Sequence, residues 1–353
     1  MRTDTNIPLG MTIETDKPLL GYNTFGMDVR AKVFVEYGTE GELAEALRLC
    51  RSRYADLPLL HIGDGSNLLF LGDYSGVVLR SAIKGAEVLA NDGDAVTVRV
   101  GAGETHDSWI EYAITHGWHG LENLSLIPGQ VGASAVQNIG AYGAEACDVI
   151  CRVEGVSLSD GSKREWDVAE CDYGYRTSVF KNRLKGQYAI THVTYRLSKT
   201  FVPRLDYGGL GAALRERGLN AGSVSAQQVR ELITEIRREK LPDPAVTGNA
   251  GSFFTNPVVD DTLLARLLAD YPSMPHFSVG NSRSKIPAAW LIEQCGWKGR
   301  SLGHAGTHPR QPLVLVNLGV ATGDEVMALC SAITDDVKNR FGITLTPEVN
   351  IIK

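Results

Sequence analysis

No stretch of this sequence approaches the roughly 18 consecutive apolar residues of a membrane span. Its opening run, MRTDTNIPLGMTIETD, carries acids and a proline where a secretory leader needs an apolar core. Those two absences predict a cytoplasmic protein with no membrane partner. Cysteine is scarce: Cys50, Cys147, Cys151, Cys171, Cys295 and Cys330 form no C-x-x-C pair, which argues against a zinc ribbon or a disulfide scaffold and leaves free buried thiols. Positive charge is short too, with 35 Lys and Arg against 41 Asp and Glu and a net charge of -6, so no nucleic-acid partner is expected. Two nucleotide signatures are missing: no G-x-G-x-x-G follows a strand, and no G-x-x-x-x-G-K-[ST] occurs.

What remains is a globular composition, 43% hydrophobic and 22% charged over 353 residues, long enough for two or three domains. Glycine is the outlier, at 38 residues, and its density between Gly63 and Gly143 implies backbone that must stay bare. The chain opens as β-α-β: an extended run Lys32–Tyr37, a helical stretch Glu42–Cys50, then Leu57–Ile62 ending in glycine. Strands at Gly76–Leu79 and Ala95–Val100 precede an amphipathic helix over Asp107–His116 and a glycine-punctuated loop from Leu121 to Gly143. Further strands are expected at Arg152–Leu158 and Tyr188–Leu197, the first turning at Ser159-Asp160-Gly161. A charged helix, Ala226–Lys240, is stopped by Leu241-Pro242, since proline cannot continue the backbone ladder. Helices at Thr262–Leu268, Ala288–Gln294 and Gly323–Phe341, a buried strand Leu313–Leu318 and a terminal strand near Pro347–Ile352 complete an α+β chain.

Several motifs carry little. His304 and His308 stand four apart, but the surrounding glycines and Pro309 disfavour a helix that would present both to a metal. Ser282-x-x-Lys285 lacks the companion motifs of a serine acyltransferase. More informative is Gly63-Asp64-Gly65-Ser66-Asn67, directly after an apolar strand. Small residues there let backbone N–H groups converge on an anion such as a pyrophosphate, although five residues alone fit an ordinary tight turn equally well. A second block, Ile127-Pro128-Gly129-Gln130-Val131-Gly132-Ala133-Ser134 running on to Asn138-Ile139-Gly140-Ala141-Tyr142-Gly143, repeats the pattern. Two such loops suggest a long phosphorylated ligand held by backbone.

The run Asn23-Thr24-Phe25-Gly26, the GDGSNLLF loop, GLENLSLIPGQVGASAVQNIGAYGAE, YGYRTSVFK, KLPDPAVTGNAGSFFTNPVV, PAAWLIEQCGWKG and the terminal PEVNII resemble the UDP-N-acetylenolpyruvoylglucosamine reductase family, in its long form with a substrate-covering tyrosine loop. The blocks keep family order from about residue 22 to the end. The resemblance implies a vanillyl-alcohol-oxidase (PCMH) type FAD-binding fold of two subdomains plus a C-terminal α+β substrate-binding domain. It sets the boundaries at 1–82 for the first FAD subdomain, with 344–353 returning to it, 83–240 for the second, and 241–343 for the substrate domain. The cofactor would be non-covalent FAD, with NADPH as hydride donor, a UDP-sugar as substrate, and a monomer as the working form.

The implied reaction reduces an enolpyruvyl ether to a lactyl ether. An enol ether conjugated to a carboxylate accepts hydride poorly unless the charge developing on that carboxylate is stabilised, which a fixed Arg and an acid can do. Matched residue by residue, the resemblance assigns catalysis to Arg176, Ser252 and Glu348, with Ser252 protonating carbon. It assigns the cofactor to Gly63, Asp64, Gly65, Ser66 and Asn67 in the first loop, to Ile127, Pro128, Gly129, Gly132, Ser134, Asn138, Gly140, Tyr142 and Gly143 in the second, and to Arg237. Substrate contacts fall on Tyr175, Tyr207, Lys240, Asn256 and Gln311, and no metal is implied. Taken singly, Arg176 reads as a surface ion-pair partner, Ser252 as a cap, Glu348 as a solvated acid and Lys240 as a cation complementing a helix C-terminus. Two rival functions remain open here: a flavoenzyme of the same fold oxidising a small alcohol or amine, and a nucleotide-sugar binder that has lost its chemistry.

Overall fold

The computed structural model describes residues 10–207 and 209–353; Met1–Leu9, where the leader was sought and the first expected domain begins, lie outside the described residues, as does Gly208. Its contacts divide the described chain into two compact units, one of residues 10–17, 31–64 and 75–237, the other of 18–30, 65–74 and 238–353.

Among the described residues the first unit holds two large sheets and a two-stranded ladder of Gly140–Ala141 with Ala144–Glu145. RAKVFVEY, rich in β-branched and aromatic residues, gives strand Arg30–Tyr37. Thr39 then caps helix Glu40–Arg53 by accepting from the Glu42 N–H at 3.1 Å, with acids in the first turn and Arg51 and Arg53 in the last, as the helix dipole favours. Strand Leu59–Ile62 follows and runs parallel to Tyr74–Ser81, Leu59 opposite Val77. The sheet order is Thr12–Pro18, Arg30–Tyr37, Tyr74–Ser81, Leu59–Ile62. The second sheet is antiparallel throughout, in the order Lys163–Asp167, Ile150–Ser157, Tyr188–Ser198, Ala95–Gly101, Ala86–Asp92. Its period-two pattern sends Val96, Val98 and Val100 into a core shared with Val193, Tyr195, Leu197 and the helix residues Trp109 and Ile110. Each such side chain contributes about 1.5–3 kcal/mol by leaving water.

Two helices depart from the sequence reading, which also lacks strands Thr12–Pro18, Leu68–Phe70, Ala86–Asp92 and Asn249–Ser252. The glycine-punctuated stretch contains a helix, Val131–Gln137, hidden by its small residues; those residues let it press onto the sheet, where the Gly132 N–H donates to the Ala102 carbonyl at 2.9 Å. A helix at Leu210–Glu216, absent from the sequence reading, packs Leu210 and Leu214 on the Val229, Leu232, Ile233 and Ile236 face of helix Ala226–Lys240. That longer helix starts with a reciprocal Ser225–Gln228 cap.

In the second unit, strands Asn249–Ser252, Val314–Asn317, Ala305–Thr307 and Ser301–Leu302 form one sheet in that order. Val258–Asp260, Arg283–Lys285 and Phe277–Gly280 form another, whose hairpin turn places Asn281 and Ser282 at φ 51° and 54°. Ser282-x-x-Lys285 is therefore a turn and a strand. The terminal strand Asn350–Ile352 pairs in parallel with Leu68–Phe70, Ile351 opposite Leu69. Helix Gly323–Phe341 is bounded by a Thr322–Glu325 capping box and by Gly342 in the left-handed region. All six cysteines are free, with Cys50, Cys171 and Cys330 buried. Among the described residues no helix is long and apolar enough to cross a membrane.

Candidate active site

The first glycine loop leaves strand Leu59–Ile62, as the sequence predicts. His61 in that strand is partly buried with Nε2 2.6 Å from the Tyr37 hydroxyl, and desolvation brings its pKa down to about 4. Asp64 accepts from Arg80 Nη2 at 2.7 Å, and Arg80 reaches Glu36 through Nη1 at 2.5 Å. The division between units falls inside this loop, leaving Gly63 and Asp64 in the first and Gly65, Ser66 and Asn67 in the second.

The second loop, wholly in the first unit, is pinned by side chains of which Asp107, Arg230 and Asn123 went unremarked in the sequence. Asp107 accepts from the Leu126 N–H at 2.5 Å and is gripped by Arg230 at 2.6 and 3.0 Å. Against the burial that would raise it, those hydrogen bonds hold the Asp107 carboxyl below its ordinary range. Asn123 donates to the carbonyls of Tyr142 and Arg204 at 2.8 and 3.0 Å. Asn138, at φ 46° and without solvent exposure, donates to Glu145 and to the Gly174 carbonyl, both at 2.9 Å, and accepts from the Cys147 N–H at 3.1 Å. The Ser134 hydroxyl donates to the Val131 carbonyl at 2.7 Å. Both side chains, expected to touch the cofactor, hydrogen-bond within the protein and help to place the loop.

Arg176 sits at φ 56° with Nη2 donating to the Gly140 carbonyl at 2.6 Å, its guanidinium 5.7 Å from the Tyr175 ring centroid. A left-handed non-glycine backbone is an unusual conformation, here aiming a cation beside the Gly140–Gly143 turn. Tyr207, half exposed, lies against Gly143. Burial depresses the Arg237 pKa; nearby Tyr142 and Asp107 oppose that shift and Arg176 adds to it. Arg237 Nε is buried and has no hydrogen-bond partner among the described residues. A cation with an unused buried donor, in a unit whose loops are glycine-lined, fits a ligand that brings acceptors and negative charge, as a dinucleotide pyrophosphate does.

In the second unit Ser252 is exposed at the end of its strand, opposite Val314. The next residue, Phe253, donates its N–H to the Leu313 carbonyl and accepts the Glu348 N–H, both at 2.8 Å, so the backbones of Ser252 and Glu348 are tied through one residue. Asn67 joins the same place: its Nδ2 donates to the Glu348 carbonyl at 3.3 Å and its carbonyl accepts the Asn350 N–H at 3.0 Å. Gly65, at φ +67°, is glycine by necessity, because a Cβ there would stand 2.1 Å from the Tyr22 carbonyl oxygen. Asn256 accepts the Ala288 N–H at 2.9 Å. The Gln311 carbonyl accepts the Val314 N–H at 3.0 Å, while its Oε1 is buried with no partner among the described residues. Lys240 is exposed at the helix end. His304 Nδ1 lies 2.9 Å from Glu325 Oε1, whereas the His308 N–H donates to Val314. The His/acid cluster Glu40, Glu154 and His192 is occupied by Arg99, 2.6 Å from Glu154 and 2.8 Å from His192, and by Lys163 on Glu40, which makes it an ion-pair network.

Residues 31–165 match the FAD binding domain family, and residues 243–352 match the C-terminal domain of UDP-N-acetylenolpyruvoylglucosamine reductase. The reductase of that name from Bacteroides fragilis is 49% identical over 340 residues, spanning 96% of this chain and all of the relative. The one from Burkholderia pseudomallei is 45% identical over 333 residues, 94% of this chain and 95% of the relative. A solved structure of the reductase from Thermus caldophilus superposes with a TM-score of 0.66 over 97% of this chain and the whole of the other, at 24% identity, and so shares the fold. The architecture is the expected one, an α+β FAD fold of the vanillyl-alcohol-oxidase (PCMH) type followed by a C-terminal domain. Given near-complete coverage at close to half identity, this chain belongs to the UDP-N-acetylenolpyruvoylglucosamine reductase family.

Proposed function

We infer that this chain catalyses the reaction for which its family is named, reducing the enolpyruvyl ether of a UDP-N-acetylglucosamine to a lactyl ether in peptidoglycan precursor synthesis, with non-covalent FAD and with NADPH as the donor. The observation that carries the chemistry is the junction at Phe253, where one backbone holds both Ser252 and Glu348. The chemistry supplied by bound FAD is hydride relay from NADPH to one enolpyruvyl carbon. Arg176 stabilises the charge that then develops on the substrate carboxylate, with Glu348 as the assisting acid. Ser252 delivers its hydroxyl proton to the adjacent carbon, and Lys240 or water stabilises the resulting alkoxide. Net addition of hydride and proton converts the carbon–carbon double bond to a single bond.

Glycine backbone at 63–67 and 127–143, together with Arg237, holds the cofactor, while Tyr175, Tyr207, Asn256 and Gln311 contact the sugar nucleotide. The His61 Nε2 is engaged by the Tyr37 hydroxyl at 2.6 Å, which supports a cofactor that is not attached through this histidine. The working division is an FAD subdomain at 1–82 with 344–353 returning to it, a second at 83–240 and a substrate domain at 241–343; the two separate sheets of the first unit support the first boundary. The chain acts as a cytoplasmic monomer without nucleic-acid or membrane partners. An anaerobic NADPH titration tests the reading: the yellow protein bleaches, and adding the enolpyruvyl sugar nucleotide restores its colour stoichiometrically. A protein that reoxidises only in air with a small alcohol is an oxidase, and one that binds the sugar nucleotide without flavin is a binder.

A further inference from the structure

Gln130 is a long amide in the middle of the second glycine block, and its side chain is 4% exposed. Nε2 donates to the Ser81 carbonyl at 3.2 Å and to the Gly103 carbonyl at 3.3 Å. Ser81 ends a strand of the first sheet, and Gly103 lies just beyond a strand of the second, so this one amide ties both sheets of the first unit. The backbone around it is equally fixed. The Gly129 carbonyl accepts the His106 N–H, the Val131 N–H donates to Glu104, and the Gly132 N–H donates to Ala102, each at 2.9 Å. The remaining amide atom, Oε1, faces Gly63, where a Cβ would stand 2.9 Å from it. A free side chain would swing aside from such a contact. This one cannot do so without leaving two buried carbonyls unpaired.

We propose that Gln130 is a positioning residue for the flavin cofactor, a buried strut that sets the first glycine loop against the second and requires residue 63 to be glycine. The proposal rests on the reading above that both loops cradle FAD. Gly63 is held at a turn that an ordinary residue could adopt, since it is not among the glycines with positive φ. Its need for a bare Cα therefore comes from the neighbour, and removing the neighbour should remove the need.

Release of FAD from the full-length holoenzyme on dilution, followed by recovery of flavin fluorescence, tests this in a double-mutant cycle. Gln130→Met keeps the volume and deletes the amide. It should raise the FAD Kd about tenfold, while KM for the enolpyruvyl sugar nucleotide at saturating FAD stays within about twofold. Gly63→Ala should raise the Kd about tenfold in the parent and by no more than about threefold in the Gln130→Met background, because the flexible thioether yields to the new methyl. Gln130→Ala, which opens space outright, gives the same pattern if the Met variant folds poorly. An equal effect of Gly63→Ala in both backgrounds overturns the strut and leaves the cradle reading standing. A parent that binds FAD but tolerates Gly63→Ala without loss overturns the placement of residue 63 in the cradle, and the strut with it.

Discussion

The two units hold their reactive groups by different means. In the first, loops rich in glycine have little sheet of their own beyond the short Gly140–Ala141 and Ala144–Glu145 ladder, and side chains do most of the fixing: Gln130, Asn138, Asn123 and the Asp107–Arg230 pair each hydrogen-bond to backbone or to one another. In the second, the sheet ladder suffices, since Ser252 and Glu348 hang from main-chain bonds through Phe253 and Leu313. Side-chain fixing concentrates sensitivity in a few polar residues remote from any chemistry, whereas backbone fixing leaves the presenting residues to act chemically. Mutations of these fixing side chains in the first unit should therefore act through stability and cofactor retention, and those at Ser252 through rate.

The sharpest test of that contrast is Ser252→Ala. It should leave flavin reduction by NADPH nearly intact and slow reoxidation by the enolpyruvyl substrate by about 10⁴, the upper end of general acid catalysis, with unfolding unchanged. Stopped-flow traces of the two half-reactions decide it, and wild-type reoxidation would make Ser252 merely structural. Asn138→Ala should do the reverse. Losing three buried hydrogen bonds at a left-handed position destabilises the protein by about 2–4 kcal/mol, measured by urea unfolding, with little change in rate per folded, flavin-loaded molecule.

Acid offers a third test, confined to the first unit. Burial lowers the pKa of His61 and of His106 to about 4, the latter despite the charge of Asp107 beside it. Unfolded imidazoles take up protons near pH 6.5, so between about pH 6.5 and 4 the unfolded state binds more protons and stability falls as pH falls. The loss reaches roughly 3 kcal/mol per histidine by the lower end of that window. His106→Leu should flatten the slope of unfolding free energy against pH by about one proton near pH 5.5, and an unchanged slope would mean that His106 does not stay neutral. The smallest effect is expected at Tyr207→Phe, a several-fold rise in KM for the sugar nucleotide with kcat nearly constant, as for a contact made equally in ground and transition states. A large fall in kcat at constant KM would instead move Tyr207 into the chemistry.

Local pattern made much of this legible. Alternation in AVTVRVG and the proline stop after Lys240 marked their elements, since each rests on forces within a few residues. The helix Val131–Gln137 escaped because glycine and alanine give it no amphipathic signal, and tertiary contacts support it: the close approach to Ala102 and the burial of Val131 and Ala135 in the sheet core. The loop-placing bonds of Asn138 and Ser134 were hidden for a related reason: a polar side chain in a glycine loop reads identically whether or not it bonds its own backbone.

By itself the sequence determined which residue types could do the chemistry, where bare backbone was required, and the order of the longer helices and of the more regular strands, because these depend on side-chain identity and short-range periodicity. Tertiary structure alone decided that Phe253 carries both Ser252 and Glu348, that Arg176 takes a left-handed backbone against Gly140, and that Gln130 stands over Gly63. Each of these joins positions tens of residues apart, and no local propensity encodes a contact whose partner arrives only when the sheets close.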